Sequence, residues 1–311
     1  HFERVLPFTH EAYRSDIGLD LLQAYVAARE ADLPVELVRE RDGLPGGARL
    51  YLVPSAKLLT APGLDRLREL AGAGATVYVS YFAGSTSSQR GPWLTWLDEI
   101  FGIRHRLRYG LVDPIEEPAE VVFELVRDFG DIEAGTVLRF HVAGEPSARS
   151  YLPVEPAGAQ VIAVDGHGRP ALLQHGLGSG STVFCTYPLE HMAARTPRAN
   201  PEPTWRLYSA LADIAGVPRP VRVDDPRILV GRLRSANSET AVFVNCSEET
   251  VTAIPVAAEG SELQLPEGPL TIDPFGATAV SCESSPKRTT RADSSSARPV
   301  RPAKGGMRGS D

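Results

Sequence analysis

The apolar positions of the first hundred residues follow a helical period and an extended period in turn. Between residues 17 and 33 they recur at nearly helical spacing, at Leu19, Leu22, Val26 and Leu33. We expect this helix to bury those four side chains and to have Asp16 as its N-cap. A second amphipathic helix, ended by Gly72 and Gly74, carries Leu64, Leu67 and Leu70 on one face.

Three short runs near these helices have the composition of buried strands. They are residues 35–38, 50–54 and 76–81, where branched and aromatic side chains are frequent. Strands that alternate with helices predict a parallel sheet with crossover helices. The expected fold class of this part is therefore α/β.

The stretch after the third strand is the strongest candidate for a functional site. A polar loop, Gly84 to Ser88, separates the strand from a predicted helix that starts near Trp93. Ligands of α/β sheets bind beyond the carboxyl ends of strands. Aromatic side chains with polar neighbours suit carbohydrate contact, so we expect a substrate rim formed by Tyr81, Phe82, Gly84, Trp93 and Trp96. The alternative is that the two tryptophans only seat the helix on the sheet.

After Gly102 the pattern changes to short strands joined by glycine- and proline-rich linkers. We expect these strands at 121–129, 136–142, 160–164, 170–174 and 182–186. Gly176 to Gly180 predicts the turn of a β-hairpin. No Lys-Ser/Thr pair follows it, which argues against a phosphate loop. A helix over 203–215 then stops at Gly216.

The remaining pattern predicts a second, smaller domain. Its strands are expected at 228–233, 241–245, 251–256, 262–265, 270–272 and 278–281, as in a small antiparallel β-sandwich. We therefore divide the chain into an α/β domain (1–218), the sandwich (219–283) and a disordered tail (284–311). Residues 283–311 hold seven Lys/Arg and three Asp/Glu, so this end is basic and the rest of the chain acidic.

Charge and hydropathy exclude some classes of partner. The net charge of −7 argues against nucleic-acid binding. No apolar run approaches the ~20 residues that a membrane span needs. We expect a cytoplasmic protein, although His1 is not an initiator methionine and a removed leader would leave no trace.

The residue types that bind metals or act as nucleophiles give weak signals. Cys185, Cys246 and Cys282 and the seven histidines lack metal-site spacing, so we expect no metal and no cofactor. Cys185 and Cys246 lie in apolar runs and are expected to be buried. Cys185 with the later His191 invites comparison with amidotransferases, but a strand would bury the thiol. The Gly84 loop lacks the second glycine of a serine-hydrolase elbow.

Four segments carry a family resemblance: Leu50 to Leu59, Gly74 to Gly84, Trp93 to Gly102 and Gly178 to Trp205. In this order they resemble the β-galactosidase trimerisation domain of glycoside hydrolase family 42 and the equivalent region of related actinobacterial family 5 enzymes. The similarity covers roughly residues 5–280.

The resemblance implies an enzyme of three parts. These are a catalytic barrel, a flavodoxin-like domain related to class I glutamine amidotransferases but without their nucleophile, and a small β-domain. A barrel needs about 250 residues, and here the trimerisation-like region begins almost at His1. We therefore assign no catalytic residue to this chain.

The first functional hypothesis is a non-catalytic accessory and assembly portion of a β-galactosidase- or β-mannosidase-like glycosidase. Its implied partners are the catalytic barrel, further copies of the chain in a homo-oligomer, and carbohydrate at the rim. One alternative is a free-standing carbohydrate-binding or scaffold protein. Another is an amidotransferase-like enzyme that uses Cys185.

Overall fold

A computed structural model describes residues 11–54, 59–80, 98–105, 120–141, 151–195, 203–235, 238–258, 263, 265–266 and 268–283. The chain is mixed α/β, with one large sheet and several small antiparallel ones. No helix within these ranges is both long and apolar enough to pass through a lipid bilayer.

The strands of the described residues up to 195 are short. They are β1 (Leu50–Val53), β2 (Thr76–Ser80), β3 (Ile103–His105), β4 (Glu120–Leu125), β5 (Val137–His141), β6 (Val154–Pro156), β7 (Gln160–Asp165), β8 (Pro170–Leu177) and β9 (Gly180–Cys185). Seven of them form the large sheet in the order β1-β2-β9-β8-β7-β4-β5. The β1-β2-β9 portion is parallel and the remainder is antiparallel. The strands predicted near these positions are thereby confirmed, whereas β3 and β6, which pair with each other, were not predicted.

Helices of the described residues that contribute to the cores beside the sheet are α1 (Glu11–Glu30), α2 (Ala61–Gly72), α3 (Leu189–Arg195) and α4 (Thr204–Ala215). One apolar core contains residues of α1, α3 and α4 and the side chains of Leu50 and Leu52. A second core, with α2, includes Tyr51 and Val53. The sheet thus lies between two layers, and successive β1 side chains enter opposite cores.

The first predicted helix exists, but its buried face is only partly the predicted one. Its buried apolar positions are Ala24, Ala27 and Ala28, while Leu22 is 51% exposed and Val26 is 36% exposed. Leu33, just beyond the helix, is buried as predicted, and the side chain of Leu19 lies outside the described residues. Small side chains let α1 pack closely on α3 and α4, so the contact selects alanine over the larger residues. The helix also starts at Glu11, so Asp16 lies inside it and is not its N-cap.

One predicted strand is absent, and residues 262 and 264 of another lie outside the described residues. Residues 33–39 have no strand geometry, and Leu37 and Val38 are exposed. A strand requires a neighbour for its backbone groups, and no described strand pairs with this segment. Leu263 and Leu265, in the predicted 262–265 strand, also lie outside strands.

The small β region (219–283) has its own core. Its strands are β10 (Val221–Arg222), β11 (Ile228–Arg234), β12 (Ser238–Asn245), β13 (Val251–Ala253), β14 (Val256–Ala257), β15 (Leu270–Ile272) and β16 (Ala277–Glu283). They form a three-stranded antiparallel sheet, β11-β12-β16, and two two-stranded ones. Burial alternates along β12, which places every second side chain in the core around Phe243. The predicted disordered tail, 284–311, lies outside the described residues.

Two glycines at the turn of the β8–β9 hairpin, Gly178 and Gly180, pack directly on the backbone at the end of α2. Leu177 pairs with Gly180, and Gly178 has a φ of +61°. A Cβ at Gly180 would lie 2.2 Å from the carbonyl oxygen of Ala75 and 2.4 Å from that of Ala71. The hairpin prediction is confirmed. The close approach of the Ala71 and Ala75 carbonyl oxygens explains why position 180, just after the turn, also needs glycine.

We expect Gly180→Ala to lower the free energy of unfolding by about 1–3 kcal/mol, because fixed backbone atoms meet the new methyl group. Urea denaturation would measure the loss. Gly176→Ala is the matched control, since a Cβ there meets no atom within 4 Å. Equal stability of the two variants would contradict the contact.

Candidate functional site: a buried carboxyl at the strand ends

The predicted substrate rim, Tyr81, Phe82, Gly84, Trp93 and Trp96, lies entirely outside the described residues. The strand that leads into it is described up to Ser80. The structure therefore shows the base from which the rim would depart, and this base contains an unusual buried acid.

Glu190 lies in the first turn of α3 and accepts hydrogen bonds from three hydroxyl groups. Ser80 Oγ donates to Glu190 Oε2 at 2.5 Å. The hydroxyls of Tyr208 and Tyr78 donate to Glu190 Oε1 at 2.7 and 3.2 Å. All four residues are fully buried. One carboxyl group thus joins the end of β2, the start of α3 and the middle of α4.

The chain reaches this arrangement through a short turn after β9. Pro188 begins the turn into α3, and the amide of Leu189 donates to the carbonyl of Tyr187 at 3.0 Å. On the opposite side, the rings of Tyr78 and Tyr208 meet edge to face, with centroids 5.8 Å apart. Their hydroxyl groups therefore converge on the acid from two different elements.

Burial governs the electrostatics of the cluster. Burial raises the pKa of Glu190, although the hydrogen bonds from Ser80 and the two tyrosines oppose the shift. Burial and the neighbouring carboxyl raise the pKa values of Tyr78 and Tyr208. These pKa shifts favour the neutral forms of Glu190, Tyr78 and Tyr208 over their ionised forms. Within the described residues the carboxyl is closed to solvent, and its hydrogen bonds tie the end of β2 to α3 and α4.

Cys185 borders the same cluster and is closed to solvent. Its side chain is fully buried, and its thiol donates to the carbonyl of Tyr187 at 3.4 Å. Burial raises the pKa of this thiol far above its ordinary value. The expected burial of Cys185 is confirmed. That of Cys246 is wrong, because Cys246 follows the end of β12 and is exposed.

We expect iodoacetamide to alkylate Cys246 in the native protein and to leave Cys185 unmodified until the chain is unfolded. Only the thiolate reacts, and only at an accessible position. Peptide mass mapping would assign each adduct, with Cys246→Ser as the control for site assignment. Rapid native labelling of Cys185 would revive the amidotransferase hypothesis.

A second buried polar cluster closes the turn between β7 and β8. Asp165 accepts hydrogen bonds from Arg169 Nε at 2.6 Å and from the Tyr187 hydroxyl at 2.7 Å. Burial alone would raise the pKa of Asp165, but these bonds lower it below its ordinary value. The Arg169 guanidinium also lies 4.2 Å from the Tyr151 ring centroid. The charge of Asp165 is thus compensated within the fold.

Two histidine–aspartate pairs link neighbouring elements. His191 Nδ1 lies 2.9 Å from Asp20 Oδ1 and so joins α3 to α1. His105 Nδ1 contacts Asp98 Oδ1, and the His105 ring packs edge-on against Phe184. Within the described ranges, no group of three or more His, Cys, Asp or Glu residues is arranged to hold a metal ion.

Solved structures with a similar fold include several glycosidases. A cold-adapted β-galactosidase from Rahnella sp. R3 matches 85% of this chain with a TM-score of 0.62 and 17% identity, over 36% of its own chain. A GH42 β-galactosidase from G. stearothermophilus matches 85% with a TM-score of 0.60 and 18% identity, also over 36% of its chain. An α-L-fucosidase from Paenibacillus thiaminolyticus matches 85% with a TM-score of 0.57 and 10% identity, over 44% of its chain.

These likenesses show a shared fold. This chain spans about a third of the length of the two β-galactosidases and less than half of the fucosidase. No protein-family model and no curated protein sequence matches the chain.

Glu190 was not predicted as a site residue from the sequence, although Cys185 and the adjacent His191 were considered. One signal was present: Glu190 follows Pro188 and Leu189 at the end of a long apolar run, where an acid must find partners. The partners themselves, at positions 78, 80 and 208, could not be assigned without the fold.

Proposed function

We propose that this chain is the non-catalytic accessory and assembly portion of a glycoside hydrolase of the β-galactosidase or β-mannosidase type. The observation that carries the proposal is the shared fold with three glycosidases, each matched over less than half of its length. In each of these glycosidases, more than half of the chain lies outside the matched region, and we assign the catalytic part to that remainder.

The environments of two buried acids, Glu190 and Asp165, favour a non-catalytic role. A retaining glycosidase needs two carboxyl groups that face a sugar about 5–5.5 Å apart. Glu190 instead faces three hydroxyl groups, and Asp165 faces an arginine and a tyrosine. Both acids are held by the protein's own side chains and are closed to a substrate.

Within this proposal the α/β part (1–218) is flavodoxin-like and makes contacts between subunits, and the small β region (219–283) is a separate domain. The loop from Gly84 to Trp93 contributes to the rim of a sugar pocket on the catalytic part. The Glu190 cluster fixes Ser80, the last described residue before that loop.

The test is to clone the coding DNA upstream of His1 and to express the longer product with and without these 311 residues. We expect hydrolysis of aryl β-galactosides or β-mannosides by the longer product and none by the 311-residue chain alone. Removing the 311 residues should lower both the oligomeric mass and the activity. Turnover by the isolated chain, or an upstream frame that encodes no glycosidase, would overturn the proposal.

A further inference from the structure

A single phenylalanine is displayed on the surface of the small β region. Phe275 exposes 68% of its side chain, more than any other large apolar residue of the described ranges. It occupies the third position of a turn, Asp273 to Gly276, which the Gly276 amide closes by donating to the Asp273 carbonyl at 2.9 Å. Phe275 therefore forgoes most of the stabilisation that burial of an aromatic ring provides.

The backbone at Phe275 is also unfavourable for this side chain. Its φ is +52°, a left-handed conformation that bulky residues avoid because Cβ approaches the following carbonyl group. A turn whose third position has a positive φ ordinarily carries glycine or asparagine there. In this turn glycine stands one position later, at 276. Neither packing nor backbone conformation favours phenylalanine at position 275.

Asn245 holds the turn in this conformation. Its side chain is buried, and its amide group donates to the Asp273 carbonyl at 3.0 Å. Its backbone amide donates to the Gly276 carbonyl at 2.9 Å, and the Phe275 amide donates to the Ser247 carbonyl at 3.2 Å. Strained backbone persists only where its surroundings over-determine it, and it is concentrated at functional contacts. A rigid scaffold thus presents the ring to solvent.

The two loops joined at this turn carry exposed polar groups. They are Glu248 and Glu249 on one loop and Asp273 on the other. Arg227 Nη1 lies 3.2 Å from Glu249 Oε2 and adds a donor to the same area. Carboxylates accept hydrogen bonds from hydroxyl groups, and guanidinium groups donate to them. Three acids beside one arginine disfavour an anionic ligand.

The size of the apolar surface narrows the class of ligand further. A phenylalanine side chain offers about 150–250 Å² in all, whereas each partner of a stable protein interface buries about 800 Å². The pyranose ring of a neutral sugar fits a site of this size. One of its faces consists of C–H groups that stack on an aromatic ring, while its hydroxyl groups reach a polar rim.

We propose that Phe275 is the stacking platform of a carbohydrate-contact site on the small β region, with Glu248, Glu249 and Asp273 as acceptors for the hydroxyl groups of one hexose unit. The choice of a galactose- or mannose-type hexose rests on the proposed function, whereas the site itself rests on the turn. It is separate from the rim predicted within residues 81–96. Its role is to hold a glycoside close to the enzyme without acting on it.

Binding is tested on the 311-residue chain by saturation-transfer difference NMR with methyl β-galactoside and methyl β-mannoside. We expect saturable binding with a Kd on the order of 1–10 mM, since one stacked ring and a few exposed hydrogen bonds are available. Phe275→Gly should weaken binding about tenfold or more, and Phe275→Trp, which keeps a ring face, should preserve it. The matched control is Leu233→Ala, because Leu233 is 64% exposed in the same region. No saturable binding, or binding that survives Phe275→Gly, would overturn the site.

The rim is tested by Glu248→Ala with Glu249→Ala. This double variant should weaken sugar binding about threefold or more, because each exposed hydrogen bond contributes modestly. Unchanged affinity would overturn the assignment of these acids as acceptors.

The stability of Phe275→Gly separates a ligand contact from a structural role. Glycine adopts a φ of +52° without strain, so the urea midpoint of this variant should equal or exceed that of the unmodified chain. A clear drop in the midpoint would show that the ring supports the fold, and it would overturn the inference that the ring is held for a ligand.

The site and the proposed function can fail separately. Sugar binding that depends on Phe275, together with an upstream frame that encodes no glycosidase, would support the site and overturn the proposed function. An active longer product whose 311-residue part binds neither sugar would overturn the site alone. If Phe275→Gly instead lowers the oligomeric mass of the longer product and no sugar binds, the ring is a protein contact and the carbohydrate proposal is wrong.

Discussion

Replacing Glu190 with alanine should lower the free energy of unfolding by about 3–5 kcal/mol, among the largest effects of any single change in this chain. The substitution removes a fully buried side chain and leaves the hydroxyls of Ser80, Tyr78 and Tyr208 without their acceptor. Each buried hydroxyl without a partner costs free energy, and a cavity adds to this. Urea denaturation followed by circular dichroism would measure the change.

The Glu190→Gln variant tests whether the network needs a neutral or an ionised carboxyl group. Burial raises the pKa of Glu190, so the native acid is drawn toward its neutral form, which glutamine resembles in shape and charge. The amide oxygen can still accept from the tyrosines, while its NH₂ group can donate to Ser80 Oγ. We expect a loss below about 1.5 kcal/mol. A loss as large as that of alanine would mean that the network requires an ionised carboxylate.

Local sequence determines the elements whose partners are close in the chain. The β8–β9 hairpin follows from glycines next to the turn, and α2 follows from leucines at 64, 67 and 70, all of which are buried. The residues that determine each of these two elements lie close together in the sequence. Their physical determinants can be read without knowing the rest of the fold.

Elements whose environment is set by distant parts of the chain were harder to predict. The α1 helix has two apolar stripes, and the close approach of α3 and α4 decides that the alanine stripe is buried. Residues 35–38 have strand composition, but a strand forms only where a neighbour accepts its hydrogen bonds. In the candidate site, Glu190 meets hydroxyls 110 and 112 positions away in the sequence. No spacing rule connects such positions.

Two acids at the end of α1 make the junction with the small β region sensitive to pH. Asp32 Oδ2 accepts from the Val223 amide at 2.7 Å, while its buried Oδ1 has no hydrogen-bond partner. Burial raises the pKa of Asp32 to about 6; Asp224 adds to the rise, and the Val223 bond and Arg219 oppose it. Burial also raises the pKa of Glu30 to about 7. Burial raises the pKa of the Cys246 thiol, and the charge of Glu30 adds to that rise.

The sign of the effect follows from proton binding. Both acids have higher pKa values in the folded chain than in the unfolded one, so between about pH 4 and pH 7 the folded chain binds more protons. The stabilisation is therefore complete at low pH and is lost as the pH rises through the folded pKa values of about 6 and about 7. Each shift corresponds to up to about 3 kcal/mol. Deprotonated, Asp32 and Glu30 each leave a poorly solvated charge at the junction.

We expect the urea midpoint to rise as the pH is lowered from 8 to 5. Asp32→Asn should raise the midpoint most at pH 8 and less at pH 5, and so flatten the profile, because asparagine stays neutral, keeps the acceptor for Val223 and tolerates the φ of +58° at this position. The matched control is Asp225→Asn. The bonds from Arg227 lower the pKa of Asp225, so this change should destabilise the protein at pH 8. Parallel profiles for Asp32→Asn and the unmodified chain would show that Asp32 does not titrate between pH 5 and 8, and the pH dependence would then have to come from Glu30 alone.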